Sequence, residues 1–274
     1  MDTKAILDAY FLKDVIERLK ENGVTDQQIS AIKADLWKPE LLEELDSWSR
    51  RYLTEGHLWG DDPSACGEHL INELAPSSAV LDLGCGYGRD SKVLLEHGHR
   101  VTGVDNAIVA AMEARSQLNS HIKNRTAHIV EGDIITAPII QRNFDAVLSH
   151  RTIHLPDVND VPVIMNRVAG VLKPGGLLVM SARSDDDFNP EQMNRINENT
   201  AVYKDRPTHK INFFNEERFE SVIAAKFTDI SFKRGEEIES VGNKNDNGEP
   251  VMSQYIQVIA RKKTDKELED NSPQ

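Results

Sequence analysis

The sequence predicts an α/β fold in which a mostly parallel sheet carries helices on both faces. From residue 79 onward, short apolar runs alternate with helical segments, and repeated strand–helix units of this kind form parallel sheets. The strand candidates are residues 79–83, 100–105, 127–133, 144–150 and 176–182. Helices between them are predicted near residues 89–97, 107–119 and 160–172.

The end of the chain predicts an antiparallel addition to this sheet. Residues 227–240 and 254–263 are strand-like and flank the segment NKNDNGEP, whose glycine, asparagine and aspartate residues favour a turn. Such a hairpin adds an antiparallel strand at the sheet edge. The residues before 56 have helical spacing, and the last eleven are strongly polar. The predicted layout is an N-terminal helical cap, a main domain and a disordered tail, over residues 1–55, 56–263 and 264–274.

The composition narrows the class of partner. The chain has 274 residues and a formal charge of −13, from 32 basic and 45 acidic side chains, which disfavours nucleic acid as a partner. No apolar stretch is long enough to span a bilayer, so no membrane partner is expected. The two cysteines, Cys66 and Cys85, form no disulfide framework, which favours the reducing cytoplasm. We expect a small-molecule substrate, and the oligomeric state stays open.

The segment VLDLGCGYGRDS, residues 80–91, is the strongest local signal. Asp82 ends the first predicted strand, and three glycines at every second position lead into a helix. Residues without Cβ atoms let the backbone approach a ligand closely, although a tight turn with no ligand is the alternative. Asp105 ends the second strand about twenty residues later, where a carboxylate reaches the ribose of a nucleotide. The spacing differs from G-x-G-x-x-G, which disfavours a nicotinamide or flavin cofactor.

Five segments together resemble the successive motifs of class I S-adenosylmethionine-dependent methyltransferases: VLDLGCGYGRDS, VTGVDNA, EGDI, FDAVLSH and LKPGGLLVMSA. The resemblance covers about residues 78–183. It implies a doubly wound, seven-stranded sheet of order 3-2-1-4-5-7-6 with strand 7 antiparallel. A narrower resemblance is to the tellurite-resistance (TehB-like) methyltransferases, through GRDSKVLLEHGHRVTGVDNA and the closing hairpin. That group has a His-Arg pair where this chain reads GEEIES, which weakens the case for tellurite chemistry but leaves methyl transfer intact.

The resemblance implies S-adenosylmethionine as the cofactor and a set of residues that bind it. It places Asp105 at the ribose hydroxyls, Asp133 at the adenine amino group and Arg89 at the methionine carboxylate. For Asp82 and Asp133 the alternative is a structural role at the end of a strand. The full implied set is Asp82, Gly84, Gly86, Gly88, Arg89, Asp105, Asn106, Asp133, Ile134 and Ser149.

The methyl acceptor is expected at the carboxyl ends of the fourth and fifth strands, where α/β sheets bind ligands. His150, His154 and Arg183 lie there and are the candidate catalytic residues. Each histidine has a structural hydrogen-bonding role as its alternative, and Arg183 has pairing with an aspartate of 185–187. Those aspartates are predicted to form a solvated loop or to cap a helix over residues 189–199, and no metal site is predicted.

Two further segments are predicted to cover the site. Trp59 lies in a loop before the first strand and either covers the cofactor or packs into the core. Residues 200–219 follow the fifth strand, in the position of family insertions that shape the acceptor pocket. Tyr203, Arg206 and His209 are its candidates for contact with the substrate.

These observations predict an enzyme that transfers a methyl group from S-adenosylmethionine to a small-molecule nucleophile. The TehB-like resemblance suggests a thiol or a chalcogen compound, and an oxygen or nitrogen acceptor is the alternative. A non-catalytic sensor or scaffold that binds the same cofactor is the rival from another class. Binding measurements with each cofactor would separate all of these from a dehydrogenase.

Overall fold

The computed structural model describes Thr25 and residues 45–139, 143–207, 209–245 and 247–270. The predicted helices before residue 45 lie outside the described residues. The described part contains ten strands: β1 (Ala79–Leu83), β2 (Arg100–Asp105), β3 (Ala127–Glu131), β4 (Phe144–Ser149), β5 (Leu172–Arg183), β6 (Met193–Asn197), β7 (Thr200–Tyr203), β8 (Lys210–Asn212), β9 (Phe227–Ile238) and β10 (Met252–Lys262).

Eight α-helices lie in the same described ranges: α1 (Ser47–Glu55), α2 (Ala65–Glu73), α3 (Arg89–Glu96), α4 (Ile108–Gln117), α5 (Asn119–Lys123), α6 (Val161–Val171), α7 (Glu216–Ile223) and α8 (Asp265–Asp270). Polar side chains cap several of them. Asp46 accepts hydrogen bonds from two backbone N–H groups of α1, and Asn215 caps α7 through the backbone N–H of Arg218. None of the helices described here is long and apolar enough to cross a membrane.

Seven of the strands form the main sheet, in the order β3-β2-β1-β4-β5-β10-β9. Neighbouring strands from β3 to β5 are parallel, whereas β10 is antiparallel to both β5 and β9. This order confirms the expected 3-2-1-4-5-7-6 arrangement, with β10 as the antiparallel strand. The hairpin predicted near the end of the chain is therefore confirmed, and its second strand lies inside the sheet.

The central strand β1 is buried along its whole length and feeds two apolar layers. Leu81 and Leu83 pack into one layer with Ile164 of α6. Val80 faces the opposite layer and packs with Leu70 of α2. Because successive side chains of a strand point to opposite faces, β1 needs apolar residues at nearly every position. The loop that follows it emerges in the middle of the sheet.

The helix predicted over residues 189–199 is wrong. The structure places β6 there, and β6 pairs with β7 in a separate three-stranded sheet, β6-β7-β8. Of the five residues of β6, only Met193 is buried, where it packs with Tyr203 and Phe213. The predicted capping aspartates instead form a 3-10 helix, Asp185–Asp187, capped by Ser184. Residues 193–197 thus form a strand because they pair with β7 and because Met193 is buried.

The tail predicted to be disordered contains helix α8. Thr264 and Glu267 begin it with reciprocal bonds: the Thr264 backbone N–H donates to Glu267 Oε2 at 2.7 Å, and the Glu267 N–H donates to Thr264 Oγ1 at 3.4 Å. This is the capping-box arrangement, which satisfies backbone donors at a helix start. Residues 265–270 are thus helical, and the predicted division into a cap, a main domain and a tail stays a prediction.

Candidate active site

The carboxyl ends of β1, β2 and β4 border a cavity of about 630 Å³. The loops that follow these strands supply Gly84, Asp105 and His150 to its wall. Helix α1 and the three-stranded sheet supply the opposite side. A cavity of this size suits a small-molecule site, and it lies at the sheet edge where α/β folds bind ligands.

The loop from β1 to α3 turns tightly because its three glycines adopt positive φ angles. Gly84, Gly86 and Gly88 have φ values of 74°, 55° and 90°. Gly84 donates its backbone N–H to the carbonyl oxygen of Val104 at 2.8 Å, which fixes the loop to β2. A Cβ atom on Gly84 would overlap the side chain of Thr152. Backbone angle and crowding therefore both require glycine at this position.

Asp105 ends β2 beside the glycine loop, with 8% of its surface exposed. Its Oδ2 accepts from the backbone N–H of Gly86 at 2.8 Å, and its Oδ1 accepts from that of Ala107 at 2.9 Å. Burial raises the pKa of Asp105 to about 6, although the two backbone donors act in the opposite direction. Each oxygen keeps acceptor capacity toward the cavity that it lines. The carboxylate can therefore accept two neighbouring hydroxyl groups.

Half of the predicted cofactor residues line the cavity. Asp133 is exposed at its wall and accepts the backbone N–H of Ile135 through Oδ1 at 2.6 Å, so its other oxygen is available to a donor. Ile134 adds an apolar surface beside it. The structure brings together at this wall Gly84, Asp105, Asn106, Asp133 and Ile134.

Asp82 lies behind that wall, in the core of the sheet. Its Oδ2 accepts the Ser91 hydroxyl at 2.6 Å, which links β1 to α3. Burial, together with the nearby Asp90 carboxylate, raises the pKa of Asp82 to about 8. This contact gives Asp82 a structural role, which was the alternative to cofactor binding. The predicted contact of Asp82 with the cofactor stays a prediction.

Arg89 and Ser149 also make structural contacts beside the cavity. Arg89 donates from Nη1 to the carbonyl oxygen of Trp59 at 3.2 Å, which holds the loop before α2 against α3. Ser149 donates its hydroxyl to the carbonyl oxygen of Leu83 at 3.0 Å. Their predicted contacts with the cofactor, like those of Gly86 and Gly88, stay predictions.

His150 lines the cavity, but both of its ring nitrogens are engaged. Nε2 lies 2.9 and 3.0 Å from the two carboxylate oxygens of Glu237, and Nδ1 lies 2.9 Å from the hydroxyl of Ser181. Because a carboxylate only accepts, Nε2 donates to Glu237, whereas Nδ1 lies beside the Ser181 hydroxyl. His150 is therefore held in one orientation by protein groups at both ring nitrogens.

Glu237 is a site residue that the sequence did not single out. Its carboxylate also accepts from Arg151 Nη1 at 3.1 Å, and Arg151 donates in turn to the Ser253 hydroxyl at 2.8 Å. Burial alone would raise the pKa of Glu237, but His150 and Arg151 outweigh burial and lower it to about 2. The segment GEEIES could have indicated Glu237, because the alternation of side chains along a strand places Glu237 and Glu239 on one face.

Arg183 ends β5 and has only 2% of its surface exposed. Its Nε lies 2.8 Å from Asp187 Oδ2, and its Nη2 lies 2.9 Å from Glu239 Oε1. Nη1 donates to the hydroxyl of Tyr203. Arg183 therefore forms the ion pair that was its alternative role, with Asp187 as the partner. The predicted catalytic role of Arg183 stays a prediction.

His154 is buried, with 4% of its surface exposed. Its Nδ1 has no hydrogen-bond partner among the described residues. Burial lowers the pKa of His154 well below its usual range, and the nearby cations Arg151 and Arg183 act in the same direction. His154 is therefore a neutral imidazole with one nitrogen unsatisfied by the protein.

Three aromatic side chains from α1 and the loop after it line the cavity beside the glycine loop. Trp48 and Tyr52 come from α1, and Trp59 comes from the following loop. The rings of Trp48 and Trp59 lie 6.1 Å apart, and His209 lies 5.6 Å from Trp48. Trp59 also donates its Nε1–H to the carbonyl oxygen of Glu239 at 2.9 Å. Trp59 therefore packs against an apolar cluster and lines the cavity, and its predicted position over the cofactor stays a prediction.

Metal ligands are not assembled in the described ranges: no group of three or more His, Cys, Asp or Glu residues lies there in an arrangement that could hold a metal ion. The charged groups of the cavity are held by one another and by backbone donors, as described above for Asp105 and Glu237.

Comparison with known families agrees with the position of this site. A family described as a methyltransferase domain matches residues 80–176, which contain the glycine loop and Asp105. An uncharacterised methyltransferase of Mycobacterium bovis is 32% identical over 113 residues, or 40% of this chain and 54% of that protein. A carboxy-S-adenosyl-L-methionine synthase of Vibrio vulnificus is 26% identical over 124 residues, or 44% and 50% of the two chains. The alignments span about half the length of these curated relatives.

Solved structures share the fold beyond the matched segment. TehB from Haemophilus influenzae superposes with a TM-score of 0.57 at 21% identity, over 78% of this chain and 67% of TehB. A Burkholderia thailandensis 1,6-didemethyltoxoflavin N1-methyltransferase gives a TM-score of 0.55 at 20% identity, over 73% and 77%. Residues 80–176 thus match a methyltransferase domain, and the strand order and the glycine loop of this chain agree with that match.

Proposed function

We propose that this chain transfers a methyl group from S-adenosylmethionine to a small-molecule acceptor. The observation that carries the proposal is one continuous cavity, which joins Gly84 and Asp105 on the sheet side to Trp48 and Trp59 on the opposite side. Support comes from the Burkholderia enzyme, whose crystal structure contains S-adenosylhomocysteine and its small-molecule substrate. The volume of about 630 Å³ lies in the range of small-molecule sites.

The residues on the sheet side fit this cofactor. The spare acceptor capacity of Asp105 suits the two ribose hydroxyls, and the exposed oxygen of Asp133 suits the adenine amino group. Ile134 offers an apolar surface to the adenine ring, with Asn106 on the ribose side. Gly84 allows the close backbone approach that a Cβ atom would block. We assign the methionine end of the cofactor to the loop of Gly84, Gly86 and Gly88, with Asp82, Arg89 and Ser149 supporting it.

When bound, S-adenosylmethionine supplies an electrophilic methyl group on a positively charged sulfur, and an acceptor lone pair takes that methyl as the carbon–sulfur bond breaks to leave a neutral thioether. The task of the chain is to hold the acceptor in line and to exclude water. Trp48, Tyr52 and Trp59 provide an apolar cover for the reacting region. Arg151 and the His150–Glu237 pair form its polar floor.

We favour an acceptor that needs no base, such as a thiolate or another soft chalcogen nucleophile. Protein groups contact both ring nitrogens of His150, and burial holds the pKa of His154 well below its usual range, so neither imidazole is placed as a free base beside the acceptor. A thiol ionises readily without such help. An oxygen or nitrogen acceptor that must lose a proton in the reaction fits this floor less well.

Calorimetry with S-adenosylmethionine, S-adenosylhomocysteine and NADH tests the cofactor. We expect micromolar dissociation constants for the first two ligands and no binding of NADH. Absence of binding by both adenosyl ligands would overturn the proposal. Incubation with S-adenosylmethionine and 4-mercaptobenzoate, followed by mass spectrometry, then separates an enzyme from a cofactor-binding sensor, because only the enzyme produces the methyl thioether.

A further inference from the structure

A small compartment adjoins the main cavity, and its wall is rich in arginine. Its volume is about 30 Å³, which is room for about one water molecule. Four arginines line it: Arg51, Arg151, Arg183 and Arg206. We call this compartment the arginine annex. The wall residues that it shares with the main cavity are Trp48, Trp59, Arg151, Leu155 and His209.

The wall of the annex contains more basic than acidic side chains, although the chain as a whole is strongly acidic. The formal charge of the whole chain is −13, yet Glu239 is the one acidic side chain in the described wall of the annex. Carboxylates around the annex pair with three of its arginines. Arg51 pairs with Glu55 at 2.9 Å, Arg151 with Glu237 at 3.1 Å, and Arg183 with Asp187 and Glu239 at 2.8 and 2.9 Å.

Arg206 is the least satisfied of the four. Its guanidinium stacks over the Tyr203 ring, 4.4 Å from the ring centroid. Its Nε lies 3.5 Å from Asp205, and that contact is exposed to solvent, where ion pairs contribute little. No hydrogen bond joins its terminal nitrogens to any residue that the structure describes. Arg206 therefore presents a preoriented fork of donors at the annex.

His154 supplies a second unsatisfied group in the same wall. Its buried Nδ1 lacks a partner within the described chain, and buried polar nitrogens without partners are rare in folded proteins. Less than 1 Å² of this nitrogen is accessible, so His154 gives the wall a neutral imidazole that does not compete with the arginines for an anion.

We propose that the arginine annex binds the carboxylate of a planar aromatic or heteroaromatic acceptor. This inference rests on the proposed methyl transfer and adds the substrate class. Trp48 packs against both Trp59 and His209, and the ring would lie against the cavity side of this aromatic group. The carboxylate would take its donors from Arg206, since a guanidinium matches a carboxylate with two parallel hydrogen bonds. Because the annex has room for about one water molecule, one carboxylate oxygen would enter it and the ring would stay in the main cavity.

Calorimetry on the full chain saturated with S-adenosylhomocysteine tests this inference. The probes are 4-mercaptobenzoate and 4-hydroxybenzoate, each measured beside its own carboxamide, which keeps the ring and removes the charge. We expect each acid to bind at least tenfold more tightly than its amide. In Arg206→Gln the preference should fall to about twofold or less, and in Arg206→Lys it should be partly restored, because a charge returns without the fork.

Arg50→Gln is the matched control, because Arg50 is an exposed arginine on the same helix as Arg51 and does not line the annex. It should keep the full preference for the acids. Equal binding of acid and amide, binding of neither, or an unchanged preference in Arg206→Gln would overturn the inference while S-adenosylhomocysteine still binds. Loss of S-adenosylhomocysteine binding by the unaltered chain would instead overturn the proposed function, and the substrate class with it.

Discussion

Asp105 serves the fold and the proposed cofactor site at the same time. Its two backbone donors, Gly86 and Ala107, fix the glycine loop and the start of α4 relative to β2. The same carboxylate lines the cavity with acceptor capacity to spare. A single side chain therefore sets the position of the loop and, in the function proposed above, accepts the ribose hydroxyls.

We expect Asp105→Ala to weaken S-adenosylhomocysteine binding at least a hundredfold. Two hydrogen bonds to a charged group are lost, each contributing about 1.5–3 kcal/mol. Calorimetry measures the affinity, and circular dichroism checks that the variant is folded. Asp265→Ala, an exposed aspartate in α8, is the control and should bind normally. Normal affinity of Asp105→Ala would remove Asp105 from the cofactor site.

The raised pKa of Asp105, about 6, also predicts a pH dependence. The ionised carboxylate is the form that accepts both hydroxyls, so binding is at full strength above pH 6 and weakens as the pH falls below it. Affinity should drop by about tenfold for each pH unit below 6. In Asp105→Asn the binding should be weaker throughout and flat over the same range. A flat profile for the unaltered chain would contradict the prediction.

We expect the substitution His150→Gln to have only a small effect on turnover. His150→Gln keeps a donor toward Glu237 but removes an acid–base group. Turnover of a thiol acceptor should fall by less than about tenfold, since loss of a general base costs about 10²–10⁴. A hundredfold loss, measured under saturating S-adenosylmethionine, would show that His150 acts as a base after all.

For single residues, the sequence predicted the side chains that follow the strands. It did not predict the residues far along the chain that contact them. Gly84 and Asp105 belong to a local pattern that a reader can recognise within one segment. The role of Glu237 depends on His150, which lies 87 positions earlier in the chain. Nothing local in GEEIES specifies that contact, because it forms only when β9 takes its place in the sheet.

At the scale of elements, apolar patterning predicted the strands of the main sheet and failed for the small one. In the main sheet β1 is buried along its whole length, and β4 is buried at all but one position, so both form clear apolar runs. In β6 only Met193 is buried, so the segment shows neither strand alternation nor helical spacing. Its structure depends on β7 and on packing with Phe213, which lie later in the chain.

The glycine loop gives a prediction that separates backbone strain from crowding. Gly84 and Gly175 share a φ of 74°, but a Cβ atom meets Thr152 at Gly84 and open space at Gly175. Gly175→Ala should therefore lower the free energy of unfolding by about 1–2 kcal/mol, from backbone strain alone. Gly84→Ala should cost more than this and should weaken S-adenosylhomocysteine binding at least tenfold. Urea denaturation and calorimetry measure the two effects, and equal costs at both sites would contradict the role of crowding.

At the scale of the whole molecule, the sheet holds a buried acid at its centre. Asp82 belongs to β1, the strand that packs into both apolar layers, and its pKa is raised to about 8. The strand order that places β1 in the middle was predicted from the motifs together with the family resemblance. Burial of this carboxyl makes the stability of the entire fold depend on pH.

We expect Asp82→Asn to flatten that dependence. Because the folded state holds the Asp82 proton up to about pH 8 and the unfolded state releases it near pH 4, folding stability falls as the pH rises between these values. The contribution is on the order of 1.4 kcal/mol for each pH unit. Urea denaturation from pH 5 to pH 8 should show a smaller loss of stability in Asp82→Asn than in the unaltered chain. Parallel curves for the two proteins would show that Asp82 is ionised in the folded state.

Because β10 lies between β5 and β9, the main sheet can be completed only after β10 has been synthesised. Strands β1 to β5 can pair as they emerge, so the nucleotide side of the cavity forms early. In the main sheet β9 pairs with β10 alone, so it must wait for the later strand to insert beside β5. Until residue 262 has left the exit tunnel, β5 presents an unpaired edge and the Glu237 carboxylate has no fixed place beside His150. The nascent chain is therefore most prone to aggregation just before its acceptor side is complete.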